Sequence, residues 1–217
     1  MANAVLTNLR RTKALVFLGF LFVFTQVFAE TKIEIDLDTH VLKLYQDEKV
    51  IKTYPIAYGR GGVGKKTRGD GKTPLGYYRI VSIKKSSGFG YFLHLNYPNI
   101  DDVTRAYREG LLDEKTFEQI LSQIRNGMAP QNTLLGGYVG IHGLGGENPT
   151  KLDIHRHFNW TQGCIALTDT EVKDLLHYVS TGTSVVIKGP VKPALDMAKQ
   201  SHPPFTRKAI ASQGEHP

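Results

Sequence analysis

A β-rich α+β domain is predicted for this chain of 217 residues, and three observations predict it. Apolar and polar residues alternate in short runs through most of the region from Ile33 to Ile83, which is the period of half-buried strands. Helical periodicity is confined to a block around residues 101–127 and a segment after Thr168. Ten tyrosines, ten phenylalanines and a 41% hydrophobic content are enough to build a packed core.

Residues 1–29 read as a cleavable export signal. Arg10, Arg11 and Lys13 precede an unbroken apolar run from Ala14 to Phe24, and Val27-Phe28-Ala29 supplies a small-residue cut site. The run is too short to span a bilayer, which takes about 20 apolar residues, so no stable membrane span is expected after cleavage. Residues 30–189 are then the folded domain. Without the signal, 24 basic residues face 20 acidic ones, a balance of +4. That mild charge and the absence of a basic block exclude a nucleic-acid partner from the reading.

Ile33, Ile35 and Leu37 alternate with Glu34 and Asp36 to give a first strand. Val41–Tyr45 and Val50–Tyr58 follow after polar turns and complete a meander. Gly59–Lys72 is rich in glycine and lysine and reads as a flexible loop, and Pro74 and Gly76 shape a turn into a strand over Tyr77–Ile83. The block 99–133 is helical. A short helix is expected over 101–110, and a second carries Phe117, Ile120, Leu121 and Ile124 on one face, with Asp113 as N-cap and Gly127 as stop. The block reads as an insertion that either covers a face of the sheet or closes over a site. Thr168 and Glu171 form a capping box for a helix over 169–181, and Ser184–Lys188 is a last strand. The proline-containing segment 190–217 reads as an extension or tail.

Cys164 is the only cysteine. In an exported protein a lone thiol has no partner for an intramolecular disulfide, so it is a buried hydrophobe, an intermolecular bridge or a reactive group. Gly163 lies immediately before it, and His142 stands 22 residues upstream, between Ile141 and Gly143. A thiol needs a base to become a thiolate, and a developing oxyanion needs bare amides that glycine lets approach. Two other chemistries are weaker. Gly59–Thr67 approaches the phosphate-binding G-x-x-x-x-G-K-[ST] loop, but Lys66 stands where the metal-binding hydroxyl belongs and Arg68-Gly69-Asp70-Gly71 does not start a helix. Asp153, His155, His157 and Cys164 have zinc-ligand chemistry but no recognised ligand spacing, and the histidines read as surface residues of a polar loop.

The pair Ile141-His142-Gly143 and Trp160-Thr161-Gln162-Gly163-Cys164-Ile165-Ala166 resembles the catalytic signature of the L,D-transpeptidase (YkuD-type) family, in its murein L,D-transpeptidase branch with a W-T-x-G-C motif. Ile33-Glu34-Ile35-Asp36, Tyr58-Gly59 and Gly69-Asp70-Gly71-Lys72-Thr73-Pro74-Leu75-Gly76 are similar to the same family. The resemblance covers residues 31–98 and 134–188 and leaves out the block 99–133 and the tail. It implies a YkuD-like mixed β-sandwich. It further implies Cys164 as nucleophile, His142 as base, the Gly143 carbonyl as its orienter, and the amides of Gln162, Gly163 and Cys164 as oxyanion hole. Trp160, Thr161, Tyr58 and Arg60 would contact substrate. The implied reaction is attack on the carbonyl at the L-centre of diaminopimelate in a peptidoglycan stem peptide. D-alanine leaves, and an amine of another stem or of a wall-linked lipoprotein resolves the thioester. No metal or cofactor is called for.

The chain departs from the common motif at Gln162, where most members have histidine, and at Ala166, where a polar or basic residue is frequent. The Gln162 departure bears on substrate or acceptor choice and on transfer against hydrolysis. A hydrolytic relative, either an L,D-carboxypeptidase or an amidase detaching a lipoprotein from diaminopimelate, is the first alternative. A catalytically inactive wall-binding domain and an unrelated zinc hydrolase are the others.

Overall fold

A computed structural model describes residues 30–190. The signal-peptide reading of 1–29 and nearly all of the tail reading of 190–217 lie outside the described residues. Three strands open the domain as an antiparallel meander: β1 (Thr31–Asp36), β2 (Val41–Gln46) and β3 (Lys49–Pro55). In β1 the alternation works as predicted, with Ile33 and Ile35 fully buried and Glu34 turned outward to pair with Lys188. The third strand ends at Pro55, short of Tyr58, because a proline cannot donate to the ladder.

β4 (Gly76–Ser86) is the longest strand and makes a hairpin with β5 (Gly90–Leu95), which the sequence reading did not separate out. Its signal is the Ser-Ser-Gly-Phe-Gly turn, with Gly90 in the left-handed region at φ 69°. β6 (Gly140–His142) pairs antiparallel with β5, and β7 (Ile165–Ala166) runs parallel to β6. β8 (Ser184–Lys188) inserts between β1 and β4, parallel to the first. The strand order is β3-β2-β1-β8-β4-β5-β6-β7. The sheet curls until its two edges touch, since Ala57, just past β3, exchanges both backbone hydrogen bonds with Ala166 of β7. One core fills the curl, from Ile33 and Leu44 on one half to Leu93, Ile141 and Ile165 on the other.

The helical block supplies α1 (Ile100–Arg108) and α2 (Glu114–Arg125), capped by Asn99 and by Asp113. Val103, Ala106, Leu112 and Ile120 belong to the core, so these helices cover the sheet. α3 (Pro149–His157) corrects the expectation of a polar loop: Asn148 caps it and Pro149 takes the first helical position. A helix sets Asp153 and His157 side by side at 3.2 Å on the surface, while His155 turns inward and is buried. The three side chains therefore do not converge with Cys164. α4 (Asp169–Leu175) has the predicted Thr168–Glu171 capping box but stops well before residue 181. Its end tightens into i→i−3 bonds at His177 and Tyr178. Among the described residues no helix is long and apolar enough to cross a membrane.

The loop 59–72 is not loose. It doubles back on itself through Gly61 N–H to Gly71 O, Thr73 N–H to Gly62 O and Gly64 N–H to Thr73 O. Asp70 ties its centre by accepting from the amides of Lys66, Thr67 and Lys72 and pairing with Lys65.

Candidate active site

The register of β6 and β7 brings the two motifs together. Ile141 lies beside Ile165 and His142 beside Ala166, and neighbouring strands are about 4.8 Å apart. Two residues before Ala166 comes Cys164, and residues two apart project from the same face. His142 and Cys164 therefore share a face at diagonal positions, and both line one cavity of about 580 Å³. Gly140, the position level with the cysteine, must stay bare. A Cβ there would stand 2.6 Å from Leu93 O and from the Phe92 ring.

His142 is held in one tautomer. Its Nδ1 lies 2.7 Å from the Gly143 carbonyl; a carbonyl only accepts, so Nδ1 carries the proton and Nε2 presents its lone pair. The residue is 2% exposed. Phe89 (centroid distance 4.3 Å), Trp160 (5.8 Å, edge-on) and Phe92 (6.0 Å, stacked) enclose it. This desolvation lowers the imidazole pKa, and the nearby His155 adds to the effect. The Gly143 carbonyl and Asp169 act in the opposite sense. Gly143 itself has no room for a side chain, because a Cβ would come within 2.3 Å of Asp169 Oδ1.

The cysteine loop is wound around Thr161. Its backbone exchanges hydrogen bonds with Tyr58 O and Arg60 N–H, its hydroxyl donates to Cys164 O at 2.7 Å, and the same oxygen accepts from Gly163 N–H at 3.1 Å. Gly163 has φ 132°, and a Cβ there would meet Lys72 O at 2.6 Å. This fixes why glycine precedes the sulfur. The thiol is half-buried and donates to the Tyr138 carbonyl at 3.5 Å; no hydrogen bond joins it to His142 among the described residues. Burial pushes its pKa up to about 11, against smaller downward pulls from the Gly140 backbone and Lys65. The resting site thus pairs a neutral imidazole with a protonated thiol.

The expected oxyanion amides differ in their freedom. The Gly163 amide is taken up by the Thr161 hydroxyl; those of Gln162 and Cys164 have no acceptor among the described residues. Trp160 and Thr161 line the cavity with His142. Tyr58 and Arg60 do not line it or its neighbour. Their backbones brace the cysteine loop, and the Tyr58 ring packs on His40 instead. A second cavity of about 300 Å³ meets the first at Cys164, Tyr138 and Gln162 and is otherwise lined by Lys65, Arg68 and Gly163 among others. Phe89, Phe92, Arg68 and Tyr138 were not singled out in the sequence. Only Tyr138 left a signal, as an aromatic after Gly136-Gly137 at positive φ (54°).

A family model described as YkuD, L,D-transpeptidase catalytic domain, matches residues 30–187. No curated protein sequence matches the chain. Among solved structures, a single-residue variant of the helical cell shape determining protein Pgp2 from Campylobacter jejuni is 20% identical with a TM-score of 0.50, over 76% of this chain and 48% of that one. Bd1075 from Bdellovibrio bacteriovorus gives 19% and 0.48 over 82% and 58%. An L,D-transpeptidase from Mycobacterium smegmatis gives 14% and 0.43 over 74% and 59%. The first of these likenesses concerns the fold alone, and the chain spans about half to three-fifths of the length of each of the three.

Proposed function

The chain belongs to the YkuD L,D-transpeptidase catalytic-domain family, which acts on peptidoglycan, and from that premise we propose that it is an exported cysteine acyltransferase of stem peptides in the cell envelope. One observation carries the reading: a buried imidazole whose Nε2 lone pair is left free by the Nδ1–Gly143 bond shares a cavity and a strand face with the lone cysteine.

The chemistry follows from the resting charges. With the thiol at about 11 and the imidazole lowered, the thiolate forms only as substrate binds and the sulfur turns from Tyr138 O toward Nε2. Nε2 takes the thiol proton while sulfur bonds to the carbonyl carbon at the L-centre of diaminopimelate. The carbonyl oxygen becomes an oxyanion held by the amides of Gln162 and Cys164. Collapse breaks the carbon–nitrogen bond, and the nitrogen of D-alanine leaves with the proton from Nε2. An incoming amine gives up a proton to Nε2 as its nitrogen bonds to the thioester carbon; the carbon–sulfur bond then breaks and the sulfur takes that proton from Nε2 as a thiol. Gln162 cannot relay protons in this pH range, so every proton transfer falls to His142.

Incubating the protein with purified muropeptides and reading masses of protein and products tests this. A Cys164 adduct equal to the stem minus D-alanine is expected, followed by cross-linked products; a tripeptide product in their place marks water as acceptor. Turnover retained by Cys164→Ala would sink the mechanism.

A further inference from the structure

The two cavities at Cys164 divide a substrate between them. In acyl transfer the imidazole must reach the nitrogen that leaves or enters, and His142 lines the aromatic cavity and not the other. The amine side therefore occupies the aromatic cavity, and the acyl remainder is directed to the opposite side of the sulfur. That opposite cavity carries Lys65 and Arg68 and no carboxylate among its lining residues.

The two cations are not equivalent. Lys65 is buried, with Nζ 2.8 Å from Asp70 Oδ1 and 3.1 Å from Thr67 O. Burial pushes the Asp70 carboxyl up, but Lys65 and the amides of Lys66, Thr67 and Lys72 outweigh it and hold the group at about 2. That pair is closed at any pH the envelope meets. Arg68 is exposed and differently tied. Its backbone N–H donates to Leu134 O at 2.8 Å and its Nε–H to Thr133 O at 3.1 Å. Its two terminal nitrogens have no partner among the described residues. A guanidinium anchored at Nε and free at its fork is set for bidentate recognition of a carboxylate. The same residue also borders the next cavity along, lined by Thr116, Gln119 and Gln123 of α2 together with the exposed Leu111 and Leu134, so a chain held there can continue over a surface of mixed polarity.

Resting on the acyl-transfer reading above, we infer that Arg68 binds a free carboxylate of the acyl-donor stem peptide, in the cavity opposite His142. Two stem groups have this chemistry on the acyl side: the distal carboxylate of diaminopimelate and the α-carboxylate of the γ-linked glutamate before it.

The test is calorimetric binding to the full chain carrying Cys164→Ala, which removes turnover. Three D-alanine-terminated tetrapeptides are compared: the free acid, one amidated at the distal diaminopimelate carboxylate, and one amidated at the glutamate. One amide should bind about tenfold more weakly than the acid, and its identity names the group held. Adding Arg68→Gln should weaken the acid to the level of that amide and abolish the difference; Arg68→Lys, with charge but no fork, should fall between. The amides act on otherwise unaltered protein, so the result does not depend on how a variant folds. Equal binding of all three peptides, a deficit that survives Arg68→Gln, or no binding at all overturns the inference. Turnover by the unsubstituted protein is read separately. Discrimination without turnover would sink the acyl-transfer reading, and turnover without discrimination would sink only the carboxylate site.

Discussion

The aromatic cavity and the cationic cavity meet at one sulfur and are built from opposite materials. On one side Phe89, Phe92 and Trp160 keep water from His142. On the other, glycines 69, 136, 137 and 163 share the wall with Lys65 and Arg68. Cys164, Tyr138 and Gln162 line both. On the proposed acyl-transfer reading, the difference follows from what each side is asked to do. Proton transfer works best between groups that are uncharged at rest and close in proton affinity during reaction, and a dry wall provides that by lowering the imidazole. Recognition needs a charge that persists, which only an arginine guarantees.

The largest expected effect would break the comparison if it failed to separate the sides. Cys164→Ala should reduce turnover to background, and His142→Ala should slow acylation by about 10²–10⁴-fold, the usual range for a positioned base. Neither should disturb affinity for the stem peptide by more than about twofold to threefold, within the ±0.5 kcal/mol or so of a substitution that leaves binding contacts intact. Acylation rates followed by intact mass, beside calorimetric binding, check both halves. Loss of binding in His142→Ala would mean that the imidazole helps to hold the bound peptide and does not act on its protons alone.

A smaller effect sharpens the role of the aromatic wall. Phe89 is the ring nearest His142, and Phe89→Ala should admit water and let the imidazole pKa rise toward its ordinary 6.5. Protonated imidazole cannot act as base, so activity falls as pH drops through that pKa. The unsubstituted protein should lose activity only below 6.5, and the variant should lose it closer to 6.5 while matching it above about pH 7.5. A pH profile of acylation measures the shift, and an unmoved acid limb would remove desolvation as the cause. In His142→Ala, alkylation of the thiol should show no thiolate inflection until pH nears 11.

The meander, the helix caps and the cysteine–histidine pair were legible because each rests on local chemistry: alternation in β1, Asp113 and Thr168 as caps, glycine before sulfur. The β5 hairpin and α3 were missed although Gly90 and Asn148-Pro149 carried their signals. Short elements show too few periods for the pattern to stand out. The cationic side was not legible at all. Arg68 is one of many basic residues, and only the folding of loop 59–72 against residues 133–134 shows that Lys65 is neutralised and Arg68 is not. Tyr58 and Arg60, expected to contact substrate, have backbones that brace the cysteine loop, and sequence proximity to a motif does not by itself distinguish a residue that braces a loop from one that faces a cavity.

The smallest expected effect asks how far the cationic side extends. α2 presents Gln119 and Gln123 to the cavity beyond Arg68, with the buried Ile120 forming part of the same wall. Deleting the block would not test this, because Val103, Ala106, Leu112 and Ile120 would leave the core and the domain would be lost. Replacing both glutamines by alanine keeps the helix, alanine being the better helix former. Each neutral hydrogen bond to a ligand at an exposed site is worth about 1 kcal/mol or less. The double variant should therefore raise KM by about threefold to tenfold for a donor long enough to pass Arg68. For a fragment ending at the diaminopimelate it should change nothing, and kcat should hold in both cases. A loss shared by long and short donors would place the effect in the sheet packing under α2, and no loss with either would end the cationic groove at Arg68.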